Sequence, residues 1–405
     1  GSYVRYVNLD QEQLMEGVHI RFNGVESAFA LWINGTFVGY SEDSFSPSTF
    51  DITGMVKKGI NKIAVQVYRF SSGSWLEDQD YWRFSGIFRD VELLFVPKTN
   101  LSDLRVQTLL KNNYSEAFVE VDLNLIGQLE KSVVKMTLYD DSKPLSVVEL
   151  VGKDELHTSI NVKEPKLWSA ESPNLYHLVI EIIKNDVLVE VCKQVVGIRE
   201  FKIIDGIMCI NGKRIVFHGV NRHEFSPKTG RVISYEETKK DLQIMKANNI
   251  NALRTSHYPN NTFVYDLCDE LGLYCIDETN LETHGTWSES FDTSIYLPDD
   301  KEDKWLDSVL DRANSMYERD KNHPSIVIWS LGNESRGGSI LQKEADFLRA
   351  KDNTRVIHYE GISHDRRYPN SSDIESQMYT FAVDCEKFIL EHPEKPFILC
   401  EYAHS

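Results

Sequence analysis

Cysteine is sparse and poorly spaced for cross-linking. The six cysteines, Cys192, Cys209, Cys268, Cys275, Cys385 and Cys400, show no C-x-x-C spacing, and none falls in the first 191 residues. That pattern argues against a zinc site or a redox pair and fits a reducing, cytoplasmic compartment. No stretch approaches the ~18 uninterrupted apolar residues of a membrane span. The opening Gly1-Ser2-Tyr3-Val4-Arg5-Tyr6 carries no apolar h-region, so no signal peptide is visible, although the missing initiator Met weakens that reading. No basic run relieves the acidic balance, 44 Lys and Arg against 62 Asp and Glu for a net charge of -18. Such a field repels a polyanion such as DNA, so a nucleic-acid partner is not expected.

What is present is the composition of a globular protein. Hydrophobic residues make up 41% and charged residues 26% of 405 residues. This balance excludes a disordered tail and a collagen-like repeat, and the length predicts two to four domains at roughly 100–200 residues each. Residues 1–98 read as β structure, with short apolar runs such as Val18–Phe22, Phe29–Ile33, Ile63–Tyr68 and Val91–Phe95. Asn34-Gly35, Lys58-Gly59 and Ser72-Gly73 punctuate them, as expected of an antiparallel sandwich. After a linker at Pro97–Asn100, residues 99–200 carry a second set of strands, including Ala117–Val121, Val133–Leu138 and Tyr176–Ile182. Some seven strands in about 100 residues is the size of an immunoglobulin-like sandwich.

From Phe201 to Ser405 short buried strands alternate with amphipathic helices, which predicts a parallel sheet. Ser234-x-x-Glu237 is a capping box opening a helix to about Asn249. Phe263, Leu267 and Leu271 form a second helical stripe ended by Gly272. Trp305, Val309, Ala313 and Met316 form a third, and Leu341, Ala345 and Leu348 a fourth. Seven strands fall between them: Ile215–Val220, Asn251–Thr255, Leu273–Glu278, Ile326–Leu331, Val356–Glu360, Ile374–Tyr379 and Phe397–Glu401. No glycine-rich phosphate signature follows the first. A (β/α) barrel is favoured over a nucleotide-binding sheet, and its chemistry belongs at the strand C-termini.

Those C-termini are polar. They carry Asn221 to Glu224, Arg254 to Tyr258, Asp277 to His284, Gly332 to Ser335, Tyr379, and Glu401 to His404; strand five delivers Glu360, to which no role is assigned. A lone glutamate after a strand is ordinarily a helix cap or a solvated residue. Convergence at one rim is what distinguishes this set. Glycoside hydrolysis needs one carboxylic acid to protonate the leaving oxygen and a second carboxylate facing the anomeric carbon. Strands four and seven face each other across a barrel mouth and suit the ~5 Å separation of the retaining mechanism.

Ser330-Leu331-Gly332-Asn333-Glu334-Ser335 and Ile398-Leu399-Cys400-Glu401-Tyr402-Ala403-His404 resemble the acid/base and nucleophile motifs of glycoside hydrolase family 2. Within it they are most similar to the lac-operon-type β-galactosidases. Gly219 to Glu224, Arg254 to Pro259 and Asn322 to Ser325 match the same family. So do Leu31 to Gly35, Leu76 to Trp82 and Lys166 to Pro173, so the likeness covers essentially the whole chain. It implies a jelly-roll, galactose-binding-like β-sandwich, an immunoglobulin-like β-sandwich and a (β/α)8 TIM barrel lacking its last strand.

The resemblance also implies roles. Glu334 becomes the general acid/base and Glu401 the nucleophile; Asn333 holds the sugar 2-hydroxyl. Tyr379 and Arg254 bond the nucleophile, His223 and His257 line the sugar site, and His404 binds galactose hydroxyls. Glu282, His284 and Glu334 match Mg²⁺ ligands, and Asp80 reaches the galactose 6-hydroxyl and a Na⁺. Trp82 packs the Asp80 loop, and Trp287 is either a sugar platform or a core residue. The implied activity is hydrolysis of terminal β-galactosides such as lactose, with a homo-oligomer for the full-length enzyme. The alternatives are a β-glucuronidase or β-mannosidase of the same family, or a non-catalytic carbohydrate-binding fragment. Residues 201–405 hold seven strands where a barrel has eight in ~250 residues. The chain therefore reads as a piece of a larger enzyme, truncated at both ends and weakly active or inactive alone.

Overall fold

Burial alternates along Gly59–Tyr68, which gives a strand with one wet and one buried face, and the first domain is built on that rule. In the computed structural model, which describes residues 1–286, 298 and 303–403, this strand pairs with Ser2–Leu9 and Ala28–Ile33, and Thr36–Glu42 completes the sheet. Val91–Val96, Gly17–Phe22 and Ser48–Asp51 form the facing sheet. Val18, Ile20, Phe22, Leu31, Ile33, Val65 and Val67 fill the space between. The hairpin at Ile33–Thr36 turns on Asn34 and Gly35, both at positive φ, as a two-residue turn of the hand that matches strand twist requires.

The second sandwich has the seven expected strands. Asn100–Lys111, Glu116–Ile126 and Glu155–Lys163 form one sheet; Lys143–Val151, Ser132–Asp140, Tyr176–Lys184 and Val187–Val196 form the other. The inward positions of Glu116–Ile126 (Ala117, Val119, Val121, Leu123 and Leu125) meet Val134, Met136, Leu138, Leu178 and Ile180.

Between this sandwich and the barrel the structure holds a small sheet that the α/β reading of residues from Phe201 onward did not separate. Phe201–Ile204, Ile207–Ile210 and Lys213–Arg214 form an antiparallel meander. Its turns are Asp205-Gly206 and Asn211-Gly212, all four at positive φ. It packs Phe201 and Ile210 with Trp168, Ala252, Tyr274, Ile276 and Ile328, closing the floor of the barrel.

Seven parallel barrel strands follow among the described residues: Gly219–Asn221, Ala252–Arg254, Tyr274–Glu278, Ile326–Ser330, Val356–His358, Glu375–Met378 and Phe397–Glu401. The first five pair in sequence order, and the sixth pairs with the seventh. Strands five and six are linked by the Asp373 amide on the Ile357 carbonyl (2.9 Å) and by His358 Nε2 to Ser376 Oγ (2.8 Å). The first strand is shorter than the expected Ile215–Val220. Asn251 replaces the missing ladder there, accepting from the His218 amide and donating to the Val216 carbonyl. Strands seven and one do not pair; both line a cleft of about 1250 Å³.

Helices α1 (Tyr235–Ala247), α2 (Thr262–Leu271), α3 (Leu306–Asp320), α4 (Ser339–Lys351) and α5 (Ala382–Glu391) lie between these strands. The Ser234 capping box forms, with the Glu237 amide donating to Ser234 Oγ and the Ser234 amide donating to Glu237. The buried face of α2 is Val264, Leu267 and Cys268, flanked by the expected Phe263 and Leu271. Helix α5 has no buried residue; its partly buried Phe388 packs on Phe397 of the seventh strand. No described helix is long and apolar enough to cross a membrane, and all six cysteines are free.

Candidate active site

Strand alternation decides which groups enter the barrel. In the third strand Tyr274, Ile276 and Glu278 share one face, so Glu278 points inward, toward Arg254. Asp277 points outward, to Tyr265 on α2. Arg254 and Glu401 end the second and seventh strands, while Glu334 follows the fourth on a loop. One cleft at this end is lined by Asp80, His223, Arg254, His257, Glu282, His284, Asn333, Glu334, Tyr379 and Glu401. Ten of the eleven residues singled out from the sequence thus meet in one place. His404, the eleventh, and Trp287 lie outside the described residues.

Glu401 is gripped by cationic and phenolic donors. Arg254 Nη1 reaches Glu401 Oε1 at 3.2 Å, His257 Nε2 lies 3.8 Å from the same oxygen, and the Tyr379 hydroxyl donates to Oε2. The Tyr379 amide also donates to the Glu401 carbonyl (2.7 Å), and Tyr379 sits at φ 54°. Arg254 is itself fixed by Glu278 (2.7 Å) and by Asn333 Oδ1 (2.8 Å). Burial alone would raise the Glu278 carboxyl; Arg254, then His257, outweigh it and bring it down to about 2. Glu278 was quoted in the sequence without a role, and strand alternation was the available signal for one.

Glu334 sits in the opposite environment. Burial first, and then the Glu282 carboxylate, raise its carboxyl above the ordinary range, with His284 opposing. His284 Nδ1 lies 3.2 Å from Glu334 and 3.5 Å from Glu282. Candidate ligand atoms of Glu282, His284 and Glu334 all lie within 4.8 Å of one another. Two carboxylates and an imidazole around one point fit a divalent cation that keeps several waters, as Mg²⁺ does. Asp80 joins no such group of three His, Cys, Asp or Glu side chains among the described residues.

Asp80 arrives from the first sandwich. Glu77–Asp78 pairs in parallel with Glu282–Thr283, the Glu282 amide donates to the Leu76 carbonyl (2.8 Å), and the Asp80 amide donates to Glu282 (3.0 Å). Next to it Tyr81 stacks face to face on His223, with ring centres 4.1 Å apart. Burial, then His257, pushes the His223 imidazole down to about 3, so the ring is neutral near pH 7. Tyr81 is a second residue the sequence reading passed over. Trp82 packs on Tyr81, Phe84 and Phe225 yet stays 64% exposed.

Comparison with known proteins follows this geometry closely. The description "Glycosyl hydrolases family 2, TIM barrel domain" matches residues 201–405, the family's sugar binding domain residues 1–97, and "Glycosyl hydrolases family 2" residues 99–199. The chain is 50% identical to a β-galactosidase of Priestia megaterium, covering all of this chain and 40% of that protein. It is 47% identical to one of Clostridium acetobutylicum, covering 45% of it. It is 41% identical to a β-galactosidase large subunit of Latilactobacillus sakei, covering 65% of it. The chain therefore spans about 40% of the length of the first two curated relatives it matches. A β-glucuronidase structure from Ruminococcus gnavus superposes with a TM-score of 0.86 at 22% identity, covering 98% of this chain and 74% of that one. One from Parabacteroides merdae gives 0.84 at 20%, covering 98% and 53%. At such identity these two speak to the fold alone. Motifs, domain order and sequence identity across the whole of this chain agree: the chain belongs to glycoside hydrolase family 2.

Proposed function

We propose that this chain carries the catalytic centre of a retaining β-galactosidase that removes terminal β-D-galactose from β-galactosides. One observation carries the reading: two carboxyl groups line one cleft in opposed environments. Glu401 is bonded by Arg254 and Tyr379, and Glu334 is raised by burial and a neighbouring carboxylate. An acid must hold its proton and a nucleophile must be oriented by its partners, which supports Glu334 as the acid/base and Glu401 as the nucleophile. Galactose as the sugar is supported by relatives named β-galactosidase at 40–50% identity across the whole chain.

In the first step Glu401 attacks the anomeric carbon while Glu334 protonates the departing glycosidic oxygen, leaving a galactosyl ester on Glu401. Glu334, now ionised, takes a proton from water, which attacks the ester and frees Glu401. Arg254 and Tyr379 orient the Glu401 carboxylate through both steps. Asn333, whose Oδ1 already accepts from Arg254, is placed to hold the sugar 2-hydroxyl. His223, His257 and Asp80 line the galactose pocket. Glu282, His284 and Glu334 would hold Mg²⁺. When bound, that cation adds positive charge beside Glu334 and favours its carboxylate.

The test is a panel of nitrophenyl glycosides against the full-length gene product. The galactoside should be cleaved with the highest kcat/KM, and Glu401→Gln should abolish turnover by orders of magnitude. Preferential cleavage of the glucuronide or the mannoside would replace the galactoside reading. Galactose binding with no turnover would support the carbohydrate-binding alternative.

A further inference from the structure

Glu334 follows a strand but does not continue it. Its φ is 39°, and Arg336 two residues on is at 61°, both in the left-handed region where a side chain costs energy. Something must hold this loop, because the direction of the Glu334 carboxyl depends on it. One side is tied by the Asn333 amide, which donates to the Leu281 carbonyl (2.9 Å).

The other side is tied by three consecutive residues at the end of the fifth barrel strand. The Glu334 amide donates to Glu360 Oε1 at 2.8 Å, and the Ser335 amide donates to the Tyr359 hydroxyl at 3.2 Å. Gly361 sits so close that a Cβ there would lie 1.7 Å from the Arg336 carbonyl oxygen. Both side chains are buried, Glu360 at 1% and Tyr359 at 0% exposure. A carboxyl group buried at the rim of a catalytic cleft needs a reason. Its bond to the loop amide supplies one, since the acceptor geometry is fixed and water is excluded.

We propose that Glu360 is a positioning residue for the acid/base Glu334, holding the Glu334 amide so that its carboxyl stays aimed at the glycosidic oxygen. The inference rests on the reading of Glu334 as acid/base. Glu360 makes no contact with substrate in this account and acts only through the loop, with Tyr359 and Gly361 completing the clamp.

Proton donation matters for a poor leaving group and little for a good one, so a displaced acid leaves a signature that general damage does not. In the full-length protein, Glu360→Met removes the acceptor at similar volume, while Glu360→Gln keeps a carbonyl at that place. kcat/KM is measured for an alkyl glycoside and for the 2,4-dinitrophenyl glycoside of the sugar the wild type prefers. Glu360→Met should lower the alkyl value about 10²-fold, the scale of a ~1 Å misplacement, and change the dinitrophenyl value only a few-fold. Glu360→Gln should recover most of the loss. Azide should accelerate the Met variant's turnover of the dinitrophenyl substrate by replacing base-assisted water.

Equal loss on both substrates by a folded protein, or no loss on either, overturns the proposal. Glu334→Gln run in parallel separates the two readings. Selectivity in Glu334→Gln but not in Glu360→Met sinks the positioning role alone, and selectivity in neither sinks the acid/base assignment with it. If Glu360→Met does not fold, Tyr359→Phe removes the neighbouring acceptor and should shift the same ratio in the same direction. An unchanged ratio there contradicts the clamp.

Discussion

Tyr379 shows how one group serves the site without supporting the fold. It is half exposed, and its hydroxyl donates to Glu401. Tyr379→Phe should lower kcat about 10²-fold, the usual cost of one donor aimed at a reacting oxygen, with no change in thermal midpoint. Steady-state kinetics beside a melting curve checks both halves. Glu282 acts through a different partner. Glu282→Gln should raise the Mg²⁺ concentration needed for half-maximal activity by roughly 10-fold or more, because a ligand carboxylate is lost. An unaltered Mg²⁺ titration would remove Glu282 from the ligand set.

Elements were legible where one face is dry. Alternation exposed the sandwich strands, and the Ser234 box and Gly272 marked the ends of α1 and α2. Helix α5 escaped because its apolar residues fall on both faces, Cys385, Phe388 and Ile389 on one and the exposed Val383 and Leu390 on the other. The meander before the barrel was signalled by Asp205-Gly206 and Asn211-Gly212, yet its strands of two to four residues carry too few alternations to separate it from the α/β run. In the site, the motifs named residues by their place after a strand. Glu278 and Glu360 went unassigned because their partners, Arg254 and the Glu334 amide, lie 24 and 26 positions away. Only the fold brings them together. Gly272 tests the helix-end argument: at φ 77°, with a Cβ falling 2.4 Å from the Ala170 carbonyl oxygen, Gly272→Ala should cost about 1–3 kcal/mol. Denaturant unfolding measures it.

At the scale of the molecule, buried charges join the first sandwich to the barrel. Arg312 of α3 pairs with Glu77 (2.6 Å), the first residue of the strand pair that leads to Asp80. Arg89 likewise meets Glu224 at 2.7 Å. Arg312→Met strands the Glu77 carboxylate and should cost about 3–5 kcal/mol, seen as an earlier thermal transition accompanied by a raised KM as Asp80 loosens. A second pair makes stability depend on pH. Burial lowers the pKa of His323, but Asp269 at 2.7 Å outweighs it and raises the imidazole from its ordinary 6.5 to about 9. A raised folded-state pKa means this stabilisation is complete below pH 6.5 and lost as pH rises through about 9. The unfolding free energy should therefore drop between pH 6 and pH 9.5 by more in the wild type than in His323→Gln, by an amount on the order of 1–3 kcal/mol, as denaturant unfolding at the two pH values measures.

All of this converges on one bond, the ester between the sugar and Glu401. Incubating the full-length protein with a 2-deoxy-2-fluoro-β-galactoside bearing a good leaving group, then mapping the adduct by mass spectrometry, reads that bond directly. The account predicts one fluorogalactosyl group per chain on the peptide containing Glu401. An adduct on Glu334, Glu360 or any other carboxylate would contradict it.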